Sequence, residues 1–181
     1  RIAAAGGEFL DPMCGSGTFV IEAAWMATNT APGLLRDFWG FQAWRGHDSG
    51  LWKDVVDAAK ARMQEQLPVV MRGSDRNRGA IATAQQNARR AGVGRDLIFE
   101  HCEIAEQRPQ NDDPEAPPGL LCVNPPYGQR IPGSDEAAEA HRAIGVALRE
   151  HFASSNAVVL TGEPTLGQLI GQKGIVRVAN L

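Results

Sequence analysis

Apolar and polar positions along the chain switch between two periods, and the switching predicts strands that alternate with helices. Gly7-Glu8-Phe9-Leu10-Asp11 is short and apolar ahead of a glycine turn, as a buried strand would be. From Thr18 to Thr28 the spacing is helical, with Phe19, Ala23 and Met26 on one face, and Pro32-Gly33 closes the run. A second helix is predicted over 51–66, with Ser49 or Asp48 as its cap. Residues 69–73 read as the next strand, 79–90 as a helix closed by Ala91-Gly92, and 97–102 as a strand. Residues 107–118 hold Asn, Asp, Glu and four prolines and read as a solvated loop. A short buried strand over 120–123 ends at Asn124-Pro125-Pro126. A helix over 136–152, a strand over 157–160, a short helix near 166–170 and an extended piece over 174–178 complete the pattern.

Strands alternating with helices predict an α/β fold: a mostly parallel sheet with helices on both faces. Ligands in such sheets bind beyond the carboxyl ends of the strands, and each chemically loaded motif falls there. The chain reads as one domain, 1–181, with an aromatic and helical insertion at about 33–68. Its net charge is −3, with 18 Lys and Arg against 21 Asp and Glu. That balance argues against autonomous tight binding of nucleic acid, which needs a basic surface. Arg76, Arg78, Arg89, Arg90 and Arg95 cluster in sequence, as a solvated helix face or a local patch. Three widely spaced cysteines offer neither a disulfide framework nor a metal site, and fit a reducing cytoplasm. No apolar run approaches the roughly 20 residues that span a bilayer.

Asp11-Pro12-Met13-Cys14-Gly15-Ser16-Gly17-Thr18 lies at a strand-to-helix turn. Gly15 and Gly17 let backbone approach a ligand that a Cβ would push away. Val20 stands where a dinucleotide fingerprint has its third glycine, and no Gly-Lys-Ser/Thr follows. The turn therefore suits a nucleoside ligand without a diphosphate, of which S-adenosylmethionine is the commonest; Asp11 would face its ammonium group. A glycine turn needed only for packing is the alternative. Asp75, in Gly73-Ser74-Asp75, is placed to accept ribose hydroxyls. Glu103, in Cys102-Glu103-Ile104, is placed to accept an adenine amino group, or is an exposed loop acid.

Asn124-Pro125-Pro126-Tyr127 carries the most chemistry. The lone pair of an aryl amine is delocalised into its ring. The Asn124 side-chain oxygen and the Pro125 carbonyl can each accept an amine hydrogen and draw that nitrogen toward tetrahedral geometry. The prolines make these acceptors rigid, and Tyr127 can stack on a base drawn from its helix. Adenine N6 in DNA or RNA, cytosine N4 and a glutamine amide in a release factor all suit this motif. A module that binds ligand, or scaffolds a larger protein, without turnover is the reading from another class.

The residues 11–18 motif with Ile21-Glu22-Ala23-Ala24, and Asn124-Pro125-Pro126-Tyr127-Gly128, resemble the THUMP-containing RNA methyltransferases. The insertion with Ala31-Pro32-Gly33, Trp39-Gly40-Phe41, Trp44 and His47-Asp48 narrows the likeness. So do Gly73-Ser74-Asp75 and the run from Asn87 to Gly92. Together they are similar to the first methyltransferase domain of the bacterial two-activity guanine-N2 methyltransferases of 23S ribosomal RNA. The resemblance implies a Rossmann-like, class I fold using S-adenosylmethionine, without a metal. It implies Met13, Cys14, Gly15, Gly17 and Thr18 around the cofactor with Asp11, Asp75 and Glu103, and methyl transfer to guanine N2. It further implies that a THUMP region grips the RNA and is absent here, and that the chain stops before the closing β-hairpin. Glu103 departs from the aspartate the family would have. Trp39, Phe41, Trp44 and Trp52 are expected to pack the insertion onto the sheet, or else to form a lid.

Overall fold

A computed structural model of the chain describes residues 7–111, 115–126 and 136–174. Five parallel strands form one sheet: β1 (Phe9–Asp11), β2 (Met71–Asp75), β3 (Leu97–His101), β4 (Leu120–Val123) and β5 (Asn156–Val159). Their order is β3-β2-β1-β4-β5, so the winding reverses at β1. The helices are α1 (Thr18–Ala27), α2 (Ser49–Lys60), α3 (Arg78–Arg90), α4 (Glu136–Glu150) and the short α5 (Pro164–Gln168). The α/β prediction holds, and the fold is Rossmann-like. The piece expected over 174–178 lies outside the described residues from 175 onward.

Alternation along β1 explains the two layers. Phe9 points into a core with Met71, Leu97, Val20 and Ala24 of α1, and Ile81, Ala84 and Ala88 of α3. Leu10 points the other way, into a core with Leu121, Val123, and Ile144, Ala147 and Leu148 of α4. Both faces of β1 are thus sealed, and each fully buried side chain of this size contributes roughly 1.5–3 kcal/mol.

The α1 face differs from the one expected. Ala23 is buried, but Met26 is 72% exposed, and Val20, Ile21, Ala24 and Ala27 complete the buried stripe. The stripe combines Val20 and Ile21 with three alanines, and excludes Met26 although it is large and apolar. Helix α2 ends at Lys60, not Gln66. There the chain folds back on the end of α1: the Gln64 amide donates to the Thr28 carbonyl (2.8 Å), and Asn29 donates to the Arg62 carbonyl (3.1 Å). The Asp48 carboxylate caps α2 through the Leu51 amide at 2.9 Å.

The insertion also differs from the one expected. Its rings pack on one another: Phe41 lies 6.1 Å from Trp39, stacked, and 4.9 Å from Trp52, edge-on. No residue of α2 is buried, and Trp44 is 74% exposed. The aromatics form a small cluster of their own instead of packing the insertion onto the sheet.

Arg72 is a further departure from the sequence pattern. It lies in β2 on the α4 side, buried, where an apolar residue would be expected. Its guanidinium meets Glu8 at 3.0 Å and Glu100 at 3.5 Å and donates to the Arg108 carbonyl at 2.6 Å. The Gln110 amide donates to the other Glu8 oxygen at 2.9 Å. This network ties residues 108–110 down across β2 and β3, and removing one partner of such a buried pair typically costs about 3–5 kcal/mol.

Candidate active site at the carboxyl rim

β1 and β4 are parallel neighbours, with Leu10 paired to Leu121. Parallel strands lie about 4.8 Å apart. The glycine turn that follows Asp11 and the loop that begins at Asn124 therefore leave the sheet side by side, on the same edge. β2 and β3, ending at Asp75 and His101, lie on the other side of β1.

The glycine turn is built by its own backbone. The Cys14 amide donates to the Ser74 carbonyl (2.8 Å), and the Gly17 amide to the Cys14 carbonyl (2.8 Å). Gly15 (φ 52°) and Gly17 (φ 83°) take left-handed conformations that glycine adopts without strain. A Cβ on Gly17 would meet Ala84 at 3.0 Å and Phe99 at 3.2 Å, so this glycine serves packing. A Cβ on Gly15 would meet nothing within 4 Å, so this one faces open space. Asn87 of α3 steadies the turn by donating to the Ser16 carbonyl at 3.0 Å. It lies half-buried beside the stripe of Ile81, Ala84 and Ala88.

Asp11 is buried, and one oxygen accepts the Met13 amide at 3.2 Å. Burial, with the negative charge of Asp75 adding to it, pushes its carboxyl up to about 7. Asp75 is half-buried and doubly engaged. One oxygen accepts the Gly15 amide at 2.9 Å, and the other accepts the Asn77 amide at 2.8 Å. Asn77, not Asp75, caps α3 by accepting the Gly79 amide at 2.8 Å. The structure thus joins Asp75 to the glycine turn across 60 residues of sequence. Cys14 is different: its side chain packs in the α1-side core, and burial and the charge of Asp11 raise its thiol to about 12. Met13 is half-buried against the α4-side core, and Thr18 is exposed at the start of α1.

Glu103 is exposed just past β3, where its carbonyl accepts the Glu106 amide (3.0 Å) of a single 3-10 turn. Asn124 is exposed at the end of β4, Pro125 is fully buried, and Pro126 is exposed. Tyr127 lies outside the described residues. Two cavities lie elsewhere. One of about 450 Å³ sits between Arg72, Cys102 and Arg108, and one of about 800 Å³ opens at the amino ends of the strands, around Glu8, Pro68 and Gly119. Neither is at the rim formed by Gly15 and Asn124. Among the described residues, no group of His, Cys, Asp and Glu could hold a metal ion. No helix there is long and apolar enough to cross a membrane.

The RMKL-like methyltransferase domain family matches residues 3–180. The chain belongs to this family. As a methyltransferase domain it has relatives named "Ribosomal RNA large subunit methyltransferase K/L". That of Syntrophotalea carbinolica is 43% identical over 94% of this chain. That of Allochromatium vinosum is 40% identical over 94%. The domain spans only about a quarter of those relatives, 24% and 23%. Among solved structures, the SAH complex of SMU.472 superposes with a TM-score of 0.81 at 28% identity, covering 92% of this domain and 42% of that chain. A predicted N6-adenine-specific DNA methylase from Listeria monocytogenes gives 0.78 at 30% identity, covering 92% and 42%.

Proposed function

We propose that this domain transfers a methyl group from S-adenosylmethionine to the N2 amine of a guanine in 23S ribosomal RNA. The observation that carries the reading is the placement of the Gly15 turn and Asn124 on one rim, at the ends of adjacent strands β1 and β4. The names of the relatives support ribosomal RNA as substrate, and with it a cytoplasmic setting.

The residues present fit the cofactor. Gly15 has open space where a side chain would stand, and buried Asp11 is an acid without a cation facing it among the described ion pairs. S-adenosylmethionine would bring a methyl group activated on a sulfonium sulfur. Asp11 and the glycine turn would hold its amino-acid end, Asp75 the ribose and Glu103 the adenine. The Asn124 oxygen and the Pro125 carbonyl would accept the two amine hydrogens of the base. Pro125, locked in the core, keeps those acceptors fixed before the base arrives, so little reorganisation is needed during transfer. Tyr127 would stack on the base. RNA-gripping surface is not prominent in a domain of net charge −3, and a THUMP region outside this chain would supply it.

The test is labelled methyl transfer to large-subunit ribosomal RNA, with nucleoside digestion of the product. N2-methylguanosine is the expected product. Label on adenine N6, on cytosine N4 or on protein glutamine instead would overturn the guanine assignment. Cofactor binding without any transfer, even when the full-length protein is tested, would favour a binding module.

A further inference from the structure

Arg76 and Glu136 form an ion pair at the carboxyl rim. Arg76 directly follows Asp75, and Glu136 opens α4, the helix after the Asn124 segment. β1 stands between β2 and β4, so the sheet does not join the end of β2 to the start of α4 directly. The pair does.

Both ends rest on fixed supports. His101 Nε2 donates to the Arg76 carbonyl at 2.9 Å, tying that loop to the end of β3. The next residue, Asn77, donates its amide to Asp75 and caps α3. Glu136 lies in the first turn of α4, where the helix dipole favours an acid. That helix is seated in the core through Ala137, Ile144 and Ala147. The two side chains remain 57% and 52% exposed. As a contribution to folding, such a pair is worth about 0–1 kcal/mol. Its position gives it a different use.

We propose that Arg76 and Glu136 are positioning residues. They hold the end of β2 at Asp75 at a set separation from the first turn of α4, so that a ligand on Asp75 steadies the start of α4 and, through the core that α4 shares with Leu121 and Val123, the strand that ends at Asn124. The inference rests on the cofactor reading of Asp75 and not on the identity of the RNA. Loose registration between donor and acceptor matters because a misplacement of about 1 Å can cost roughly 10²-fold in rate.

The experiment compares wild type, Arg76→Ala, Glu136→Gln and the double variant. Amide hydrogen exchange of residues 140–144 is followed with and without S-adenosylhomocysteine, beside calorimetry and turnover on ribosomal RNA. In wild type, ligand is expected to slow exchange there. Either single change removes that slowing, while ligand affinity shifts by less than roughly threefold, as for loss of an exposed pair. Turnover falls by about tenfold at saturating RNA, a partial misplacement. The double variant is no worse than either single one, and Arg76→Lys recovers much of the loss. Wild type that binds the ligand without slowing, slowing that persists in the single variants, unchanged turnover, or losses that add in the double variant would each overturn the pairing. A wild type that does not bind the ligand at all would instead overturn the cofactor reading of Asp75.

Discussion

Burial at the end of β1 takes Asp11 out of water, and the nearby charge of Asp75 discourages its ionisation further, leaving its carboxyl at about 7. Because the folded value lies above the unfolded one, the folded domain holds the extra proton between about 4 and 7. The stability from this group is full below the unfolded value and is lost as pH rises through 7. A cationic ligand reverses the preference, since it binds the ionised acid better. Cofactor affinity is therefore expected to rise from pH 6 to 8 with proton release, visible by calorimetry in buffers of different ionisation heat. Asp11→Asn should raise the melting temperature of the ligand-free domain at pH 8 and flatten the affinity profile. At Asn124, replacement by Ala should leave cofactor affinity intact and lower turnover by about 10²-fold or more, the usual cost of losing a preorganised polar contact. A variant with normal turnover would remove Asn124 from catalysis. Asp11, Gly15 and Asn124 are legible in the chain because each sits in a short local motif. The grip of Asp75 on the Gly15 amide is not, because it depends on two strands lying side by side.

Helix α4 and the turn that follows α5 meet at a point with no room for a methyl group. A Cβ on Gly145 would stand 2.0 Å from the Ile170 carbonyl oxygen, a backbone atom that Arg149 also contacts at 3.2 Å. Gly145→Ala should therefore push residues 164–171 off α4 while sparing the cofactor turn. Limited proteolysis would then cut there faster, with ligand affinity little changed; an unaltered digest would show that α4 can shift to absorb the methyl. Most elements are legible from periodicity, and strand β4 falls on the predicted residues. The errors have tertiary causes. Helix α2 has no buried residue to extend it past Lys60, and Met26 points outward because the buried face of α1 is formed by Val20, Ile21 and three alanines. Trp39, Phe41 and Trp52 are expected to pack the insertion onto the sheet, but these rings pack on one another.

Across the whole molecule, the alternation of periods made the parallel sheet legible, and the placement of motifs after strands made its chemical rim legible. The strand order was not, since no local signal sets β4 beside β1. Nor was the buried Arg72 network, whose acids come from β3 and from the stretch before β1.

That strand order divides the domain as cleanly in sequence as in space. Everything proposed to hold the methyl donor, from β1 through the 3-10 turn at Ile104–Glu106, precedes residue 112, and everything proposed to hold the acceptor follows residue 119. The two portions meet along the β1–β4 ladder and the apolar seam of Leu10, Leu121, Val123 and Ile144. Cut between 111 and 115, the protein should work as two co-produced polypeptides, each inert by itself, that regain methylation on association. Fragments that associate yet stay silent would mean that the connecting loop does more than link them.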